Sequence, residues 1–279
     1  MNIDGKVVVL TGAGNGIGEA LARRMAQGGA KGIVVSDLNG TDARRVADSI
    51  VAAGHKAIAR AIDVSSEPEL RQLVIDAEAT FGPVDIFCSN AGIVDEGGVD
   101  VPDAKWSRSW NINVMAHVYA ARAVLPSMLE RGSGYLVNTC SAAGLLTSPG
   151  AAPYAVTKHA AIALAEWLSI MHGDAGIRVS VICPQAVRTQ LLQGSIQSGN
   201  KASQAFSSMG TLLEPAEVAE CAIRGIEKED FLILPHPEVK GYLQRKAENI
   251  DQWLSGMRRF LARVQSPQAS VDTQRKLEK

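Results

Sequence analysis

Short, unbroken runs of valine and isoleucine recur along this chain, and a longer amphipathic stretch follows almost every one. "KVVVL" leads into a helical pattern from Gly16 to about Gln27, "GIVVSD" into "TDARRVADSIVAAG", and "KAIARAID" into "SEPELRQLVIDAEATFG". "VDIFCSN" precedes a long segment from Asp103 to Arg131, and "GYLVNTC" precedes "PYAVTKHAAIALAEWL". "IRVSVICP" precedes a polar loop, then "EPAEVAECAIRGIEK" and "FLIL". A strand covered by helices on both sheet faces is apolar throughout, not on alternate residues, and these runs have that pattern. Helices between such strands make right-handed parallel crossovers. The rhythm predicts an α/β fold: one doubly wound sheet of about seven parallel strands with helices on both faces. No linker divides it. Residues 1–265 are expected to form a single domain, with a substrate loop at about 185–212 and a C-terminal helix at about 238–263; residues 266–279 are expected to be a flexible tail. Functional groups in such a sheet gather at the carboxyl edge of the strands.

At that edge of the first strand stands "TGAGNGIG", Thr11 to Gly18. Gly12, Gly16 and Gly18 permit a tight turn, and the backbone N–H groups around Asn15 and Ile17 open a helix whose N-terminus favours a pyrophosphate. The spacing is T-G-x-x-x-G-x-G, not the commoner G-x-G-x-x-G. Asp37 closes the second strand, where a carboxylate accepts hydrogen bonds from the adenosine ribose and repels a 2′-phosphate. Neither Asn15 nor Leu38 beside the acid offers a cation to such a phosphate, so NAD is favoured over NADP. Asp63 and Val64 end the third strand and are candidates for the adenine edge, although "DVSSEPE" also reads as a capped helix start.

"SPGAAPYAVTKHAA" places Tyr154 and Lys158 one helical turn apart on one face. An ammonium beside a phenol makes its proton easier to remove. The pair is weak evidence alone, because Tyr242 and Lys246 repeat the spacing. Other classes of function find little support. Twenty-eight basic against 29 acidic residues, a formal net charge of −1, leave no footprint for nucleic acid. No apolar run approaches the roughly eighteen residues of a membrane span. Four cysteines without close spacing, and five histidines without a cluster, suggest neither a disulfide framework nor a metal site. The opening "MNIDGKVVVLTG" is interrupted too soon for a signal peptide, so a reduced, soluble, cytoplasmic protein is expected.

Taken together, the glycine turn, Asp37 and the Tyr154/Lys158 pair resemble the short-chain dehydrogenase/reductase family, and the resemblance covers about residues 5 to 234. "SNAG" supplies Asn90, Ala91 and Gly92 at the family's Asn-Ala-Gly turn, "NIN" puts Asn113 at its helix asparagine, and Ser141 lies thirteen residues before Tyr154, at the family's usual separation. The resemblance implies a Rossmann-like fold and NAD(H)-dependent interconversion of a secondary alcohol and a ketone. Tyr154 would be the general acid/base, Lys158 would lower its pKa and hold the nicotinamide ribose, and Ser141 would hold the substrate oxygen. Asn113 would bend its helix and seat a water linking Lys158 to solvent. Pro184, Val187 and Thr189 would line the nicotinamide. One departure is Gln185, which stands where the family has glycine after the sixth strand and becomes a candidate substrate contact with Ser141 and Tyr154. The runners-up are an enoyl reductase or dehydratase on the same scaffold and a non-catalytic NAD-binding regulator.

Val94, Leu145, Leu146, Leu191, Leu192, Phe206 and Met209 would give the substrate loops an apolar lining suited to a lipophilic alcohol or ketone. No cluster of basic residues stands ready to bind a phosphate or carboxylate, although Arg188 could do so. The long segments 103–131 and 153–172 carry apolar residues broadly, and family members commonly associate through the corresponding helices, so a homodimer or homotetramer is expected.

Overall fold

In a computed structural model of the chain, residues 1–197, 199–200 and 210–265 are described. Seven strands form one sheet in the order β3-β2-β1-β4-β5-β6-β7, every adjacent pair parallel. They are β1 (Val7–Leu10), β2 (Gly32–Asp37), β3 (Ala57–Ala61), β4 (Ile86–Ser89), β5 (Gly134–Thr139), β6 (Ile177–Ile182) and β7 (Leu232–Ile233). Helices α1 (Gly16–Gln27), α2 (Gly40–Ala52) and α3 (Glu67–Phe81) follow the first three strands in turn. The doubly wound α/β sheet anticipated from the apolar runs is present, and α1 occupies the expected limits.

Alternate residues of β1 show why the runs are apolar throughout. Val8 and Leu10 pack with Leu21, Met25 and Val46 on one face, while Val9 packs with Val34, Leu73 and Phe87 on the other. Each such side chain removed from water contributes roughly 1.5–3 kcal/mol, so a polar residue is costly on either face. The connections run outward in opposite directions from β1 and β4, and the loops after β1 and β4 part there, leaving a crevice at the carboxyl edge.

The segment from Asp103 is interrupted. Helix α4 (Asp103–Trp110) passes through a π-helical turn, Asn111–Met115, into α5 (Ala116–Glu130). After β5 come the short α6 (Ala143–Leu146) and the long α7 (Ala152–His172). Helix α8 (Gln190–Gln197) and α9 (Pro215–Lys228) flank the residues between them, and Phe206, Met209's neighbourhood from 201 to 209 and the tail 266–279 lie outside the described residues.

The single C-terminal helix expected over 238–263 is two, α10 (Glu238–Glu248) and α11 (Ile250–Gln265). Asn249 separates them with extended backbone, φ −152° and ψ 95°, and its Oδ1 accepts from Gln252 N at 2.9 Å. Asparagine favours this N-cap geometry over a helix interior, which is the physical reason for the break. Val239, Tyr242, Leu243 and Trp253 pack over Ala142 and Leu146, so this helix pair covers the loop after β5.

Candidate active site

Thr11, at the end of β1, ties the glycine turn to its neighbours. Its Oγ1 accepts from the backbone N–H of Asn90 at 3.1 Å and of Ala91 at 3.2 Å, and Asn90 Nδ2 donates back to Gly12 O at 2.9 Å. Gly12 sits at φ +59°, and a Cβ there would lie 2.7 Å from Ala91 Cα. A Cβ on Gly18 would come within 2.2 Å of Gly12 O, so that glycine lets α1 close against its own turn. Asp37 Oδ2 accepts from Gly14 N at 2.9 Å, while Oδ1 accepts from Asn39 N at 3.0 Å. Arg45, unnoticed in the sequence, donates to Gly14 O at 2.7 Å and pairs with Glu19, so its charge is already matched.

These groups open onto a cavity of about 450 Å³ that runs along the carboxyl edge of the sheet. At one end lie Gly12, Asn15, Gly16, Ile17, Asp37, and the three-quarters exposed Leu38, with Asp63 and Val64 across from them. Asp63 also caps the following turn, its Oδ1 accepting from Ser65 N at 2.9 Å. Asn90, Ala91 and Gly92 line the middle. Pro184, Gln185, Val187 and Thr189 line the far end with Ser141, Tyr154 and Lys158. Among the expected cofactor and catalytic residues, Gly18 and Asn113 do not reach the cavity wall; one packs behind the turn and the other is wholly buried. Leu145 and Leu146, expected to line the substrate end, pack instead against the C-terminal helices with Val239 and Tyr242. The donor set suits a dinucleotide: a close backbone turn at a helix N-terminus for the pyrophosphate, and carboxylates, not free cations, where a 2′-phosphate would fall.

The catalytic candidates come from three elements. Ser141 ends the fifth strand's extension, and its Oγ accepts from Ala143 N at 3.1 Å. Tyr154 and Lys158 lie on α7, with Lys158 Nζ 5.8 Å from the Tyr154 ring centre. Lys158 is buried, and its ammonium donates to Thr139 O at 2.9 Å. Burial pushes the Tyr154 phenol up to about 12, against the opposing effect of hydrogen bonding by Ser141. Burial likewise lowers Lys158. The sequence suggested a phenol drawn down toward neutrality by its lysine; in the folded chain burial raises the phenol, and the Lys158 ammonium is turned toward the Thr139 carbonyl.

Asn113 occupies the π turn. Its Oδ1 accepts from Ile93 N at 2.9 Å, and its Nδ2 donates to Ile93 O at 3.0 Å and to Thr157 Oγ1 at 3.1 Å. The extra residue of a π turn, often found at functional sites, presents this side chain between the loop after β4 and α7. A Cβ on Gly92 would lie 3.2 Å from Lys158 Nζ and 3.3 Å from Asn113 Oδ1, so only glycine leaves both groups undisturbed.

Behind Lys158, the buried His117 contacts Asn138 Oδ1 through Nδ1 at 3.2 Å. Burial, then the Lys158 charge, lower its pKa to about 4. Gln185 N donates to His236 Nδ1 at 3.1 Å, and the ring's Nε2 faces Thr211 O at 2.9 Å. The Gln185 backbone is not left-handed, so the turn accepts a Cβ where the family has glycine. Arg188 is paired with Glu214 at 2.6 Å, which removes it as an unoccupied anion receptor. Lys246 of the second Tyr/Lys pair donates to Leu145 O at 2.6 Å, so its ammonium is occupied by the loop after β5.

A model of the family described as "short chain dehydrogenase" matches residues 6–199. A 1-deoxy-11-beta-hydroxypentalenate dehydrogenase of Streptomyces exfoliatus is 36% identical over 198 residues, 70% of this chain and 72% of that protein. Among solved structures, a short-chain dehydrogenase/reductase of Burkholderia phymatum in complex with NAD superposes with a TM-score of 0.83 and 29% identity, covering 90% of this chain and 96% of that one. A 7 alpha-hydroxysteroid dehydrogenase, complexed with NADH and 7-oxo glycochenodeoxycholic acid, superposes with a TM-score of 0.76 and 30% identity over 84% of this chain and 94% of its own.

Proposed function

The chain belongs to the short-chain dehydrogenase/reductase family, and from that premise we propose how its own residues carry out the reaction. It is an NAD-dependent oxidoreductase acting on CH–OH groups. The convergence of Ser141, Tyr154 and Lys158 on one wall of the cavity that also holds the glycine turn and Asp37 carries the assignment of roles. When bound, NAD supplies the hydride acceptor and NADH the donor.

Ser141 Oγ holds the substrate oxygen and fixes its distance from Tyr154. In reduction, Tyr154, whose phenol is protonated at neutral pH, donates its proton to that oxygen as the alcohol forms. In oxidation, the same phenolic oxygen takes the hydroxyl proton, and Lys158 is the buried cation that stabilises the charge left on it. Asp37 holds the adenosine ribose, and the backbone N–H groups from Asn15 to Ile17 hold the pyrophosphate. Asn113 braces Ile93 and Thr157, which keeps the loop after β4 and α7 at a fixed separation, and connects Lys158 to solvent through water. Gln185 borders the substrate.

The substrate end is walled by Ile93, Val94, Ala143, Leu191 and Leu192, which suits a lipophilic secondary alcohol or its ketone. The hydroxy compound in one relative's name and the oxo compound held by another fit the two sides of that conversion. Trp110, Val156, Trp167, Ile170 and Met171 on α4 and α7 are exposed apolar side chains, and association through them gives a homodimer or homotetramer in the cytoplasm. No helix among the described residues is long and apolar enough to cross a membrane.

A panel of secondary alcohols and ketones, followed by nicotinamide absorbance, tests the reaction. Tyr154→Phe keeps dinucleotide binding and loses at least about a hundredfold in turnover, the range of a positioned acid/base. A variant with the wild-type rate rejects the role given to Tyr154.

A further inference from the structure

A second cavity, of about 590 Å³, adjoins the reaction pocket and shares Gly92, Ile93, Val94, Gln190, Leu191 and Ser195 with it. Its remaining wall is charged. Lys105 and Arg108 stand on α4 at a spacing of three, which places them on one helix face. Both are exposed, and neither side chain has a hydrogen-bond or ion-pair partner among the described residues. Two like charges at that spacing repel one another, and a bound anion would relieve the repulsion. The acids on the same wall are engaged. Asp95 is buried and its Oδ2 accepts from Ser109 Oγ at 2.9 Å, and the Glu96 carboxylate accepts from the Ser195 hydroxyl.

These contacts also fix where the cations stand relative to the chemistry. Asp95 and Ser109 hold the loop after β4 onto α4. At its other end, Gly97 N donates to Gly150 O at 2.8 Å, and Ala152 N donates to Gly97 O at 2.9 Å, at the first turn of the helix that carries Tyr154. One anchored loop therefore lies between the reacting groups and the two cations, and the apolar Ile93, Val94 and Leu191 border both cavities.

We infer that the substrate is a lipophilic alcohol or ketone carrying a carboxylate, its reacting carbon at Tyr154 and its anionic end at Lys105 and Arg108. The inference rests on the oxidoreductase reading and adds the substrate class to it. Arg108 can accept a carboxylate in bidentate fashion, with Lys105 as a second point of charge.

The test uses a homologous series of secondary alcohols with a terminal carboxylate, together with the methyl esters of the same series. Wild-type protein with NAD should show kcat/KM about tenfold higher for the best acid than for its ester, with the ratio shrinking as salt is added. In the double variant Lys105→Gln, Arg108→Gln the ratio should fall to about one, and Arg108→Lys should restore most of it. Binding of the same acids to the NADH-loaded protein, read from the fluorescence of the dinucleotide, separates this inference from the reaction itself. Turnover without any acid preference at any chain length overturns the anion site and leaves the reaction standing. Acid binding that depends on Lys105 and Arg108, without turnover of any alcohol or ketone, supports the anion site and overturns the reaction. Neither turnover nor acid binding overturns both.

Discussion

Acid should unfold this protein through His117, a residue with no part in the reaction. The imidazole is 2% exposed, and Nε2 has no hydrogen-bond partner among the described residues. Its pKa falls from 6.5 to about 4 in the folded chain, by burial first and then by the Lys158 charge. A depressed folded value means that the unfolded chain binds the proton first as pH falls. Stability is therefore intact above about pH 6.5 and declines as pH drops toward 4, where the folded imidazole also protonates. The 2.5-unit difference between those two values corresponds to about 3.4 kcal/mol over the full range, at about 1.36 kcal/mol per unit. Between pH 7.5 and pH 4.5, about 2–3 kcal/mol of it should be lost, a large part of the total for a marginally stable fold. Urea unfolding at the two pH values, for wild type and for His117→Asn, isolates the effect. The substitution carries its own packing cost, but a cost that does not change with pH drops out of the difference. The variant should lose about 2–3 kcal/mol less than wild type over the interval. Equal losses would refute the reasoning, because they would place the acid sensitivity in other groups.

Three further outcomes follow from the contacts in and around the site. Asp37→Ala removes the acceptor for Gly14 N and a negative charge from the adenosine end, so NAD should bind roughly tenfold more weakly and the preference over NADP should narrow, as measured by titrating each reduced dinucleotide. Asn113→Ala leaves the part-buried Ile93 N–H and C=O without their partner and should cost about 2–6 kcal/mol in urea unfolding, at about 1–3 kcal/mol for each group left unpaired. Lys246→Met keeps the apolar stem and removes the bond to Leu145 O, and KM for alcohols should rise more than kcat falls; an unchanged KM would show that α10 does not steady the loop after β5.

Legibility in the sequence followed the range of the interactions. Strands buried on both faces announced themselves because every residue in "KVVVL" had to be apolar, and the glycine turn because short-range backbone geometry demands it. Tyr154 and Lys158 were recognised by a spacing along one helix plus their companions in order. Groups whose role depends on distant partners were not visible: Thr11 joining β1 to Asn90, Arg45 reaching back to Gly14 O, and His117 buried behind Lys158. Nothing in "NINVM" distinguishes a π turn from an α one before the loop after β4 packs on it. The break at Asn249 was readable, since an asparagine three residues before Gln252 is an N-cap signal, but the amphipathic pattern on either side masked it. The phenol's raised pKa comes from burial, which the residues around Tyr154 in the sequence do not display.

The lysine of the apparently redundant Tyr242/Lys246 pair gives the protein an independent adjustment. Two ammonium groups grip main-chain oxygens on either side of Ser141: Lys158 takes Thr139 from within, and Lys246 takes Leu145 from the last helices. The inner grip is shared with the chemistry and has little freedom to change. The outer one comes from a stretch beyond residue 199, where the family match ends. Exchanging residues 238–265 between relatives would therefore recut the doorway over the serine while leaving the proton-handling groups in place, a route by which one reaction could be redirected to new molecules.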